Sequence, residues 1–201
     1  TEEDWNTTSS LRHQPYSFSK TLAEREAWEI QKQQNRWDLV VINPTFVMGP
    51  SLSNRKDSQS VDFMINLLSG KLKSGVPKLI IGYVDVRDVA DAHIIAAINK
   101  EASGRHLTCE NTYSILQISQ FLEKEFGSRF KLPSRELPKF LIYIVGPLLA
   151  KMSWKNITKN INVPLKIDNS YSKKDLGLTY RDMSETLKDH AHQLLDSGWV
   201  K

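Results

Sequence analysis

Residues Tyr16–Pro50, YSFSKTLAEREAWEIQKQQNRWDLVVINPTFVMGP, decide the fold class. The first part reads as a long helix over Tyr16–Gln34: Ala23, Ala27 and Ile30 continue one face, and Glu24, Arg25, Glu26 and Lys32 take the polar positions. The period then changes. Asp38–Asn43 (DLVVIN) is a short, nearly continuous apolar run, the pattern of a parallel strand covered on both faces. Pro44 ends it and Gly49-Pro50 marks a loop. A helix feeding such a strand implies an α/β arrangement.

The same alternation continues outward. A polar excursion over Asn54–Ser60 leads to a helix over Val61–Ser69 that stops at Gly70. Lys78–Val86 reads as a strand, interrupted at Gly82. Asp88 then stands as the N-cap of a helix to Asn99. Arg105–Cys109 is a short strand. Ser114 and Gln117 form a capping box for a helix to Phe126, with Gly127 behind it. A helix over Lys139–Met152 carries Pro147, and Asp182 with Glu185 opens a last helix that ends before Gly198.

Composition narrows the function. The chain has 201 residues, 40% hydrophobic and 25% charged, with a net charge of +4. Its basic residues are scattered, which argues against a nucleic-acid face. One cysteine, Cys109, excludes an internal disulfide and a cysteine zinc site and fits a reducing, cytoplasmic setting. The five histidines show no metal-ligand spacing, so no metal is expected. The most apolar run, Phe140–Ala150, is too short to span a bilayer and reads as a buried helix, so no membrane partner is expected.

Tyr16 and Lys20 carry the chemistry. At i and i+4 they share one helix face. A carbonyl reductase needs a proton donor beside the carbonyl oxygen as hydride reaches the carbon. A phenol is a weak donor at its reference pKa near 10, and an ammonium one turn away favours its ionised form. The same ammonium can reach the ribose hydroxyls of a nicotinamide cofactor. A Tyr-x-x-x-Lys spacing alone arises by chance, so the surrounding residues decide its meaning.

YSFSKTLAEREAWE (Tyr16–Glu29) resembles the active-site helix of the dihydroflavonol reductase and cinnamoyl-CoA reductase group of extended short-chain dehydrogenase/reductases, within the NAD-dependent epimerase/dehydratase superfamily. The lead-in Glu3-Asp4-Trp5-Asn6, the segment NPTFVMGP (Asn43–Pro50), YVDVRDVADAH (Tyr83–His93) and KKDLGLTY (Lys173–Tyr180) resemble other parts of those proteins in the same order. The resemblance implies the C-terminal part of a Rossmann-type doubly wound parallel sheet, over residues 1–110, and a smaller, mostly helical substrate-binding region over 111–201, without a clean boundary. It implies NAD(P)H-dependent reduction of a small-molecule aldehyde or ketone, with NADP as cofactor and NAD as the variant, and a homodimer as a possible assembly. The implied catalytic residues are Tyr16 and Lys20. The implied cofactor contacts are Tyr16, Lys20, Pro44, Thr45, Phe46, Val47 and Ser60. Asp88 reads as a helix cap, and Arg87 as a substrate or phosphate contact or a surface ion pair. A nucleotide-sugar epimerase or dehydratase on the same scaffold, and an inactive fragment or regulatory module, are the alternatives.

Two departures stand out. The nine glycines are too far apart to make the Gly-rich cofactor turn of a dinucleotide-binding unit. The residues before Tyr16 read as loop, with Ser9 and Ser10 too near to act as the group's upstream catalytic Ser or Thr. The expectation is a part of a longer enzyme, inactive by itself.

Overall fold

The computed structural model describes residues 1–53, 56–149 and 152–200. It is an α/β structure made of two units. One comprises Thr1–Pro44, Val89–Thr108 and Asp168–Thr179; the other comprises Thr45–Asp88, Cys109–Ile167 and Tyr180–Lys201.

In the first unit α1 runs over Pro15–Lys32 and β1 over Val40–Pro44. Pro15 occupies the first helical turn, where its missing N–H costs nothing and its fixed φ suits the helix. β1 pairs in parallel with β5 (Gly104–Thr108), Val40 opposite Gly104 and Pro44 opposite Thr108. The sequence implied a strand covered on both faces. Val40–Asn43 are instead only half-buried, because β5 is β1's one partner strand among the described residues. Helix α7 (Ser170–Leu176) adds a partner for the buried His106: its Nε2 lies 2.7 Å from the half-buried Asp175 Oδ2, and its ring stacks on Tyr171.

The second unit is built on a three-stranded sheet in the order β2 (Phe46–Met48), β4 (Ile80–Asp85), β6 (Asn111–Ser114). The β2–β4 pair is parallel and the β4–β6 pair antiparallel. Pro44 ends β1, as the sequence implied, and the chain returns to extended structure two residues later, at Phe46. Gly82 does not interrupt β4. A side chain there would meet Ile167 Cδ1 and Thr45 Cγ2 at 2.7 Å, so glycine lets neighbours close over the strand. Helices α2 (Gln59–Leu68), α4 (Ile115–Phe126) and α8 (Met183–Asp196) bury a core with the sheet that includes Met48, Met64, Leu67, Tyr83, Ile118, Leu122, Leu187 and Leu194. The Ser114–Gln117 capping box forms with both of its bonds, 3.2 and 2.8 Å. Asp182 caps α8, accepting from the Ser184 N–H rather than forming the box expected with Glu185.

A smaller cluster lies where α5 (Lys139–Leu149) meets α6 (Trp154–Asn160) and centres on Ile142, Ile157 and Ile161. A short parallel pair, β3 (Val76–Pro77) with β7 (Glu136–Leu137), completes this unit. The sequence placed one helix over 139–152; Ala150 and Lys151 lie outside the described residues, as do Asn54 and Arg55 of the polar excursion.

Helix α3 covers Val86–Ile98, starting two residues before the expected cap at Asp88. Asp85 stands immediately ahead of the helix, and its Oδ1 accepts the Arg87 N–H at 2.7 Å. Asp88 is instead a buried member of the first turn. Its carboxylate accepts the Arg181 N–H at 2.8 Å and pairs with the Arg181 guanidinium.

Candidate active site

α1 puts Tyr16 and Lys20 one turn apart, as the spacing required. The Lys20 Nζ stands 5.8 Å from the centre of the Tyr16 ring. Tyr16 is 73% exposed. Two small neighbours tie down the same turns: Ser19 Oγ donates to the Tyr16 carbonyl at 2.8 Å and Thr21 Oγ1 to the Ser17 carbonyl at 2.9 Å.

Both residues line a cavity of about 670 Å³ whose other walls include Asn6, Asn43, Pro44 and Leu107. The strand end supplies Asn43 and Pro44, and the lead-in supplies Asn6. The Asn43 Nδ2 is buried without a hydrogen-bond partner among the described residues, although an amide so placed normally has one. The sequence had singled out Pro44 and passed over Asn43, whose one signal was its place at the carboxyl end of a parallel strand.

A charged pair fixes α1 against β5. Arg105 Nε donates to Glu24 Oε1 at 2.5 Å, and both side chains are largely buried. The Arg105 guanidinium also lies 4.0 Å over the Trp5 ring and donates to the Asp4 carbonyl, while Trp28 Nε1 donates to Glu24. The lead-in that contributes Asn6 to the cavity wall is thus held by Arg105. No spacing in the sequence joins Arg105 to Glu24, which lie 81 residues apart.

The remaining expected cofactor contacts, Thr45, Phe46, Val47 and Ser60, belong to the second unit. The Phe46 ring meets Phe63 and Tyr83 edge-on at 5.9 and 5.8 Å. Val47 pairs with Val84, and Thr45 lies against Gly82. Ser60 is in the first turn of α2, its hydroxyl 3.0 Å from that of Ser58.

The segment leaving β2 in that unit is fastened by α8. Gly49 takes φ +120°, and its N–H donates to His190 Nδ1 at 3.2 Å. Ser51 exchanges bonds with Gln193: its N–H donates to Oε1 at 2.8 Å and its carbonyl accepts from Nε2. Lys56 Nζ sits 5.0 Å over the Trp199 ring. Burial pushes His190 down to about 4, with the nearby Asp85 carboxylate acting the other way, so the ring stays neutral and accepts from Gly49. Burial pushes the Asp85 carboxyl up, but hydrogen bonds from Arg87 and Thr186 outweigh it and hold Asp85 below the usual range. Arg87 spans Asp85 and Asp189 at 2.7 Å each, the ion pair rather than the substrate contact among its two readings.

Comparison with known proteins assigns the chain. The sequence profile of the NAD dependent epimerase/dehydratase family matches residues 1–109. The chain belongs to that family. Its relatives include the NADPH-dependent methylglyoxal reductase of Saccharomyces cerevisiae, 28% identical over 96% of this chain and 56% of that protein. Cinnamoyl-CoA reductase 2 of Medicago truncatula is 33% identical over 91% of this chain and 48% of that one. Among solved structures, the yeast methylglyoxal/isovaleraldehyde reductase complexed with NADPH matches 98% of this chain and 56% of its own at 26% identity and a TM-score of 0.68. The Gre2 protein of Candida albicans covers 98% and 58% at 27% identity and a TM-score of 0.74. The family member described here therefore spans about half the length of the curated relatives it matches. These relatives are the reductases that the helix Tyr16–Glu29 resembled.

Proposed function

We propose that this family member forms the proton-donating side of an NADPH-dependent reductase of small aldehydes or ketones. The observation that carries this is the shared cavity: the largely exposed Tyr16, the Lys20 ammonium one turn away and Asn43 line one space, and the Asn43 Nδ2 is buried at its edge without a partner among the described residues. That space suits the nicotinamide-ribose end of the cofactor. The bound nicotinamide would supply hydride. Tyr16 gives its proton to the carbonyl oxygen, and Lys20 stabilises the charge left on the phenol oxygen and holds the ribose hydroxyls. Pro44 offers its carbonyl, and Asn43 its amide N–H, to the carboxamide end. The backbone of Thr45–Val47 and the Ser60 hydroxyl are further cofactor contacts in this reading, and a homodimer is the assembly we assign to it.

The relatives' names supply the first substrates to try. Purified full-length protein, carrying the cofactor turn that this stretch lacks, is mixed with NADPH and methylglyoxal, then with a cinnamoyl-type carbonyl compound, and loss of NADPH absorbance is followed. Consumption that needs both protein and carbonyl compound is expected. NADPH that persists with every aldehyde and ketone tried would contradict the proposal.

A further inference from the structure

We propose that the α5–α6 region is a docking face for an anionic lipid surface. The run Phe140–Ala150 is too short to cross a bilayer, and no described helix is long and apolar enough to do so. A shorter helix can still lie in the interface, with one apolar side among the headgroups and acyl chains.

The helix has such a side. Ile142 and Gly146 face inward, Gly146 close enough that a Cβ there would meet Ile157 Cδ1 at 3.3 Å. Tyr143 bonds Thr158 through its hydroxyl at 2.8 Å, which locks α5 to α6. Phe140, Ile144 and Leu148, spaced at i, i+4 and i+8, make a stripe on another face and are 69%, 60% and 79% exposed. The stripe is about 12 Å long. Trp154, at the start of α6, is 69% exposed, and Trp is a residue suited to the membrane interface. Isolated exposed apolar residues need no explanation, but a helical stripe of three large ones with a neighbouring Trp does.

Charge selects the occupant. From Leu137 to Ile167 the sequence holds Lys139, Lys151, Lys155, Lys159 and Lys166 and no Asp or Glu. Lys155 and Lys159 are exposed and make no ion pair among the described residues. A second copy of the chain would set these lysines against one another on a two-fold interface, whereas acidic headgroups attract them. Lys139 is turned to a structural task, donating to the Thr158 and Ile161 carbonyls at the end of α6, so it orients the face rather than adding to its free charge.

Co-sedimentation with vesicles of phosphatidylcholine plus phosphatidylserine, and with phosphatidylcholine alone, tests the proposal. The protein should pellet with the acidic vesicles, and raising salt to about 1 M, where screening shortens to about 3 Å, should release most of it. Phe140→Ser with Leu148→Ser, both at exposed positions, should weaken binding by about tenfold or more while circular dichroism and Tm stay unchanged. Lys155→Glu with Lys159→Glu should do the same to a similar degree. Three results would overturn the proposal: no pelleting with acidic vesicles, pelleting that ignores both pairs of substitutions, or a dimer in solution that Phe140→Ser and Leu148→Ser dissociate while vesicles bind nothing. None of these arms involves turnover, so they stand apart from the reductase reading.

Discussion

The two units of the chain divide labour in opposite ways. The first carries the candidate chemistry on α1, an 18-residue helix without one buried residue, beside a strand with a single partner strand among the described residues. The second encloses a core of three helices on a sheet, with α8 burying Met183, Thr186, Leu187, His190, Ala191 and Leu194. The Tyr16 hydroxyl must be reachable, whereas the segments that follow β2 and β4 are held by buried polar groups. Stability should therefore reside in the second unit and turnover in the first.

Substitutions can break that comparison. The largest effect is expected at Lys20. In Lys20→Met, steady-state kinetics should show turnover down by about 10² to 10⁴, the range for a positioned proton-transfer group, and a raised KM for NADPH, with Tm unmoved because the side chain is exposed. A core change should do the reverse. Leu187→Ala in α8, almost fully buried, should cost about 2–5 kcal/mol in urea unfolding.

The pH dependence of stability sharpens the same contrast. An unfolded imidazole takes up a proton near pH 6.5, but folding keeps His190 neutral down to about 4. Between these values the unfolded chain binds more protons, so stability falls as pH drops through this window and is unaffected above it. The total is about 3 kcal/mol, from about 1.4 kcal/mol per pKa unit. Denaturation across pH 7 to 4 should show this slope, and His190→Gln should remove that part of it. Smaller still, Ser114→Ala should cost about 1 kcal/mol through the lost cap of α4. Leu22→Ala on α1, where Leu22 is exposed, should shift unfolding by no more than about 0.5 kcal/mol.

What the sequence disclosed follows the range of the interactions. Local patterns were legible: the i, i+4 placement of Tyr16 and Lys20, the Ser114–Gln117 box, and Gly70 ending α2 at a positive φ. Short elements were not. β2 has three residues and β6 four, too few for a periodicity, and β6 (NTYS) is polar. Helix α7 (SYSKKDL) likewise lacks an apolar stripe long enough to read. Asp88 was read as a cap because Asp is a good one, but Asp85 lay upstream and Arg181 came from 93 residues away to neutralise Asp88. Contacts such as Gly49 with His190, 141 residues apart, have no local signature at all. The run Phe140–Ala150 was read as buried from its hydropathy, yet hydropathy does not say which face a neighbour covers, and Phe140, Ile144 and Leu148 are open.

The central claim is that Tyr16 protonates the carbonyl oxygen. The most direct measurement is the rate of NADPH oxidation by the full-length protein carrying Tyr16→Phe, with a small aldehyde as acceptor, beside the unaltered full-length protein and with NADPH affinity determined for both. The account predicts a rate about 10² or more lower at nearly equal affinity, since only the phenolic proton is removed. An undiminished rate in Tyr16→Phe would contradict it.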